Sequence, residues 1–129
     1  MNTKNLLLLK DMFSFNGRMR RIHYFLYGLA GGLIFSVAYL IVAFAFGAMF
    51  DSFAVSLVLL IPCYIAYVWF TLAIGVKRLH DIDKSGWYLL ILLIPIVNFI
   101  WALYMLFADG TVGPNRFGAD PKNRVGANA

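Results

Sequence analysis

Three long stretches of this sequence contain no Asp, Glu, Lys or Arg: His23–Phe50, Phe53–Val76 and Trp87–Ala108. Charged residues make up 13% of the chain, against about a quarter in an average soluble domain. Proton and ion pumps generally place ionisable groups inside the helix bundle, so the empty stretches disfavour a carboxylate relay. The single cysteine, Cys63, cannot form an internal disulfide and reads as a small buried hydrophobe. There is no internal repeat, which disfavours an inverted-repeat transporter within one chain. No segment has the pattern of a DNA-binding helix or a single-strand stacking module, so no nucleic acid partner is expected despite a formal charge of +5.

What is present is apolar. Of the 129 residues 62% are hydrophobic, and the mean hydropathy is +0.79. A soluble domain this small has too much surface to hide that much apolar area. At 1.5 Å per residue the first run would be about 42 Å long, against roughly 30 Å of hydrocarbon, so it tilts or its ends enter the headgroup layer. It is far longer than the roughly 7–15-residue core of a signal peptide, and reads as a retained span. Asp51 and Ser52 alone separate it from the second run, which forces an antiparallel hairpin. Pro62 should kink the second helix near mid-membrane. Tyr24 and Tyr27, then Trp87, Tyr88, Trp101 and Tyr104, sit where an aromatic belt belongs.

The expectation is an all-α polytopic membrane protein. Its three transmembrane helices span about 23–50, 53–76 and 87–108, the first two forming a helical hairpin. A basic segment, 1–22, precedes them; within it Leu6, Leu9 and Phe13 could face lipid from an interfacial helix. The polar loop Lys77–Gly86 joins the second and third spans, and an irregular tail, 109–129, follows.

Lys4, Lys10, Arg18, Arg20 and Arg21 precede the first span, and Lys77, Arg78 and Lys84 lie in the second loop, while the first connection carries no Lys or Arg. The positive-inside rule puts the N-terminus and the second loop in the cytoplasm. Three spans leave the tail outside, although Arg116, Lys122 and Arg124 favour the inside. The alternative is a third run that breaks near Pro95–Asn98 and returns, each arm too short to cross.

No residue set reads as catalytic, cofactor-binding or metal-binding, and no cofactor is expected. The candidate polar site gathers Arg18, Arg20, Arg21, Arg78, His80, Asp81, Ser85, Asn115 and Arg116. Arginine forks suit phosphate, and His80 beside Asp81 could be an oriented acid/base pair. The bland reading of the second loop is a set of salt bridges pinning two helices; that of the arginines is a topology signal touching anionic lipid. Gly113–Gly118 reads as a tight turn, with no nucleophile and no P-loop. Gly28, Gly32 and Ser36 form a small-residue stripe for close helix packing, within the chain or between copies of a homo-oligomer.

Three elements carry a family resemblance. They are Phe15-Asn16-Gly17-Arg18-Met19-Arg20-Arg21-Ile22-His23-Tyr24-Phe25, Arg78-Leu79-His80-Asp81-Ile82-Asp83-Lys84-Ser85-Gly86-Trp87-Tyr88, and Gly110-Thr111-Val112-Gly113-Pro114-Asn115-Arg116-Phe117-Gly118-Ala119-Asp120-Pro121. Together they resemble the domain-of-unknown-function 805 family of bacterial inner-membrane proteins, over residues 11–122. Tyr88 stands where that family's pattern has a second Trp. The resemblance implies an inner (plasma) membrane location and no established reaction. It also makes the three elements candidates for one shared site, which would require a cytoplasmic tail.

The functional expectation is a non-enzymatic membrane module that binds anionic lipid headgroups or a partner protein at its cytoplasmic face. One alternative is a subunit of a small oligomeric channel or carrier, suggested by Pro62, Pro95, Asn98 and the glycine stripe. Another is a membrane enzyme acting on a phosphate-bearing lipid, with Arg78 on the phosphate and His80 and Asp81 as acid and base.

Overall fold

The computed structural model describes residues 3–124, without the side chains of 4–8, so the outward reading of Leu6 lies outside the described residues, as do the outermost residues of both terminal segments. Regular structure is helical apart from one bridge, Asn115–Gly118. The order is α1 (Thr3–Phe13), α2 (Arg21–Phe50), α3 (Phe53–Asp81), a 3-10 helix (Gly86–Leu93) and α4 (Val97–Phe107).

Helices α2 and α3 are each long and apolar enough to cross a membrane, and they form the expected hairpin. The turn is built by its two polar residues. Asp51 ends α2 in the left-handed region, φ 46°, its N–H returning to the Gly47 carbonyl. Ser52 then caps α3, its hydroxyl accepting from the Val55 N–H at 3.4 Å. Helix α3 continues through Pro62 to Asp81. Most large apolar side chains on the pair face outward; Phe44, Phe53 and Leu33 are 76%, 81% and 61% exposed. A soluble protein does not present so continuous an apolar surface; a bilayer-embedded one does.

Two boundaries differ from the sequence reading. Lys77–Asp81 belongs to α3 rather than to a loop. The helix ends at Asp81, and the chain turns away at Asp83, φ 56°, where the N–H groups of Asp83 and Lys84 fold back to the carbonyls of His80 and Leu79 and satisfy the last orphan acceptors. The third apolar run is helical but in two pieces. Pro95 holds Ile94 extended. Ile96 then takes φ 70°, ψ −53°, and the Val97 N–H bonds the Pro95 carbonyl at 2.8 Å. This is the rarer, strained form of the γ-turn. The two arms are each about 16 Å long, half of a hydrocarbon core of roughly 30 Å.

The core lies at one end of the molecule. Met19, Phe70 and Ile74 form one cluster, and Leu79, Ile82 and Met105 another. Gly31 makes the α2–α3 approach possible, since a Cβ there would fall inside the ring of Phe70. The expected packing stripe is looser: a Cβ on Gly28 would only touch Ile74, and one on Gly32 would meet nothing within 4 Å.

Candidate functional site

The three polar elements meet at that same end. The turn before α2 supplies Arg18, the last turns of α3 supply Arg78 and Asp81, and the tail wraps around them. The Arg18 and Arg78 side chains are 1% and 0% exposed. Removing a charge from water is costly unless it is paired and its remaining donors are used. Here they are. Asp81 takes Arg18 on Oδ1 at 3.1 Å and Arg78 on Oδ2 at 2.8 Å. Arg18 donates further to the carbonyls of Thr111, at 2.6 Å, and Gly113, at 2.7 Å. Arg78 donates to the carbonyls of Met105, at 2.6 Å, and Ala108.

Those last acceptors have a physical logic. Helix α4 ends at Phe107 and leaves carbonyls without intrahelical partners. Arg78 takes those of Met105 and Ala108, and Arg21 that of Phe107 at 3.2 Å. Cations at a helix C-terminus also complement its dipole. The C-terminal end of α4 is thereby fixed beside the N-terminal end of α2.

The tail is ordered by polar contacts rather than by an apolar face. The Thr111 N–H donates to the Asp81 carbonyl at 2.7 Å, and the Asn115 amide to the His80 carbonyl at 2.9 Å. Gly110 sits against the Asp81 carboxylate so closely that a Cβ would overlap it. Asp120 is buried and accepts from the Gly113 N–H at 3.0 Å and Arg124 at 2.8 Å. Asp109 is held by Lys122 at 2.6 Å and Arg124 at 2.8 Å. The hydrogen bond from Lys122, then the charges of Lys122 and Arg124, draw the Asp109 carboxyl down to about 2. Asp120 is pulled well below the ordinary carboxylate range, first by its bond from Arg124.

His80 and Asp81 do not form an acid/base pair. His80 Nδ1 donates to the Gly17 carbonyl at 3.0 Å, and its ring stacks on Phe117 at 3.9 Å. Asp81 points instead to the two arginines. Arg78, with its guanidinium enclosed, cannot meet a phosphate. Ser85 caps the 3-10 helix through the Trp87 N–H at 3.5 Å. Arg116 lies at the surface, paired with Asp83 at 3.3 Å, both more than half exposed or nearly so. Arg20 and Arg21 stand beside the network rather than in it; the buried Nε of Arg20 has no partner among the described residues. Among those residues no group of three or more His, Cys, Asp or Glu is placed to hold a metal.

The comparisons bear on this arrangement directly. A family described as "Protein of unknown function (DUF805)" matches residues 12–119, from the end of α1 to the tail turn. The chain belongs to the DUF805 family. Two similar relatives are the inner membrane proteins YhaI and YhaH of Escherichia coli (strain K12). Both are 32% identical to this chain, over 121 and 115 residues, covering 89% of this chain and 92% and 93% of their own lengths. No solved structure matches. This DUF805 chain is thus an integral membrane protein whose relatives reside in the inner membrane, and the elements that mark the family are the ones that assemble the buried network. Asp120, Lys122 and Arg124 lie just past residue 119, where the match to the family ends.

Of the candidate set, the structure brings Arg18, Arg78, Asp81 and Asn115 together, and it adds Gly110, Thr111, Asp120 and Arg124, which the sequence reading did not place in the site. Gly110, Thr111 and Asp120 stand in the tail element it quoted. A glycine gives no local sign that a carboxylate will pack on it, and the role of Asp120 depends on the fold of the tail.

Proposed function

We propose that this protein is a non-enzymatic membrane module that binds anionic lipid headgroups at a cytoplasmic face made by the N-terminal segment, the end of α3 and the tail. One observation carries the reading. The chain uses up Arg18, Arg78 and Asp81 internally, while Arg20, Arg21, Lys84 and Arg116 remain at the rim of the same end. Arg21 makes one bond, to Phe107, Lys84 lies over the Tyr88 ring, and Arg116 is largely exposed. Each basic residue near an anionic surface contributes about 1 kcal/mol. In this reading the network is the scaffold and the rim is the site.

The same reading sets the topology. Arg18, Arg78 and the tail meet at one end, and neither arm of the third run is long enough to cross. The N-terminus, the 82–85 connection and the tail therefore share the cytoplasmic side, and the third run is re-entrant. This arrangement also gives Arg116, Lys122 and Arg124 the side that basic residues favour.

Native mass spectrometry tests the lipid reading. The protein, offered equal amounts of phosphatidylglycerol and phosphatidylcholine in mild detergent, is expected to retain the anionic lipid, and the double variant Arg20→Gln/Arg21→Gln to lose that preference. Retention without preference, or an unchanged preference in the variant, contradicts the reading.

A further inference from the structure

Because the third run turns back, the slot beside α2 and α3 that a full third helix would occupy is left open toward lipid. Three apolar hollows line it and join end to end. The first, about 410 Å³, lies between Arg21, Ile22, Phe25, Leu106 and Phe107. The second, about 260 Å³, shares Phe25 and Leu106 with it and adds Gly28, Leu29 and Tyr67. The third, about 580 Å³, continues from those three residues past Gly32 and Ser36 to Tyr39. The result is one groove along α2 that starts at an arginine and runs into the membrane.

The residues along it suit a chain rather than a side chain. Gly32 leaves open space where other residues would put a Cβ. The walls are apolar, with Leu29, Leu33 and Leu40 from α2 and Tyr64 and Tyr67 from α3 among them. From Arg21 to Gly32 the groove rises about 16 Å, close to the roughly 15 Å from headgroup level to the bilayer midplane. At its mouth Arg21 keeps N–H groups beyond the one given to Phe107. The nearby tail carboxylates, Asp109 and Asp120, are already held by Lys122 and Arg124. The mouth is therefore cationic and the interior apolar, which is the polarity of an anionic phospholipid lying with its head at the interface.

We infer that this groove is a site for one anionic phospholipid, its phosphate at Arg21 and one acyl chain along Phe25, Gly28 and Gly32. The inference rests on the headgroup reading above and adds the chain-binding groove.

The test fills the groove and leaves the arginines alone. Gly32→Leu and Ser36→Leu are prepared with the parent, and either variant that elutes and melts as the parent does serves. Lipid retention is read by native mass spectrometry with dioleoyl-phosphatidylglycerol and with dihexanoyl-phosphatidylglycerol, whose chains are too short to reach Gly32. The parent is expected to hold the long-chain lipid more tightly, and the filled groove to lose about tenfold of that retention while binding the short-chain lipid unchanged. Undiminished long-chain retention in a filled variant overturns the groove and leaves the headgroup reading standing. Absence of both lipids from the parent overturns both readings. A parent dimer that the filling residue splits, with lipid retention unaffected, assigns the groove to a second copy of the chain and overturns the proposal.

Discussion

Arg78, on the last turns of α3, donates from Nε to the carbonyl of Met105, near the end of α4, across 2.6 Å. Its Nη1 holds Asp81 at 2.8 Å. One side chain thereby ties together the second long helix, the returning third segment and the carboxylate on which the tail rests.

Replacing Arg78 by leucine is expected to be among the most damaging single changes. It leaves Asp81 with Arg18 alone and strands the carbonyls of Met105 and Ala108 in a buried setting. Removing one partner of a buried pair costs on the order of 3–5 kcal/mol. Arg78→Lys is expected to recover only part of this, because an ammonium cannot span Met105, Ala108 and Asp81 at once. Thermal melting in detergent should rank parent, Arg78→Lys and Arg78→Leu in that order; equal melting of the lysine variant and the parent would contradict the fork geometry.

Gly110→Ala is expected to loosen the tail without disturbing the hairpin. The added methyl overlaps the Asp81 carboxylate, and overpacking of this kind costs about 1–3 kcal/mol. Hydrogen exchange should show faster exchange of the Thr111 amide, which bonds the Asp81 carbonyl, and unchanged exchange in the middle of α2. Protection of Thr111 equal to the parent's would refute the close approach.

The side of the membrane on which the tail lies can be read from a single thiol. With Cys63 changed to serine, Asn115→Cys and Asn16→Cys are expected to react with an impermeant maleimide only after the inner membrane is opened, whereas Asp51→Cys reacts in cells whose outer membrane alone is permeable. Labelling of Asn115→Cys together with Asp51→Cys would establish a third full crossing and remove the shared face.

Acid should release the tail's ion pairs in a defined window. The Asp109 carboxyl is drawn down to about 2 by Lys122 and Arg124, against about 3.9 in an unfolded chain. A depressed carboxylate contributes stability that is complete above the unfolded value and lost as the pH falls through the folded one. The Asp109 contribution to tail protection, read as the difference between the parent and Asp109→Asn, is therefore expected to be constant above about pH 5 and to decline between about pH 4 and 2. A difference that changes instead between about pH 5 and 8 would point to another group.

Ile96 offers a change expected to stabilise. Its φ of 70° is costly for a β-branched residue, by about 1–3 kcal/mol for strain of this kind. Its side chain is 84% exposed, so little packing is lost on trimming it. Ile96→Gly should raise the melting temperature, and Ile96→Val, which keeps the branch, should not. A lower melting temperature for the glycine variant would mean that the turn is not strained.

The hairpin was legible because its signals are local and long: two charge-free runs and a two-residue polar joint between Phe50 and Phe53. The break in the third run was legible only as an option. Pro95 marks the place, but what turns the segment back is the capture of the Met105 and Ala108 carbonyls by Arg78, a contact across 27 and 30 residues. The polar site was legible as a set of residues and not as an arrangement. His80 beside Asp81 reads as a pair along the chain, yet successive residues on a helix point about 100° apart, and each found a different partner. Gly28 and Gly32 advertised close packing, but the helices meet through Gly31, which lies outside the four-residue spacing of that stripe.

The doubling back of the third segment leaves the molecule lopsided in cross-section. In the re-entrant arrangement proposed above, two long rods cross the far half of the bilayer alone, while the near half also holds the 3-10 helix and α4. Such a wedge displaces more lipid from one leaflet than from the other, so the energy of embedding it depends on the local bend of the sheet, and a curved patch of membrane and a flat one are no longer equivalent places for it to sit.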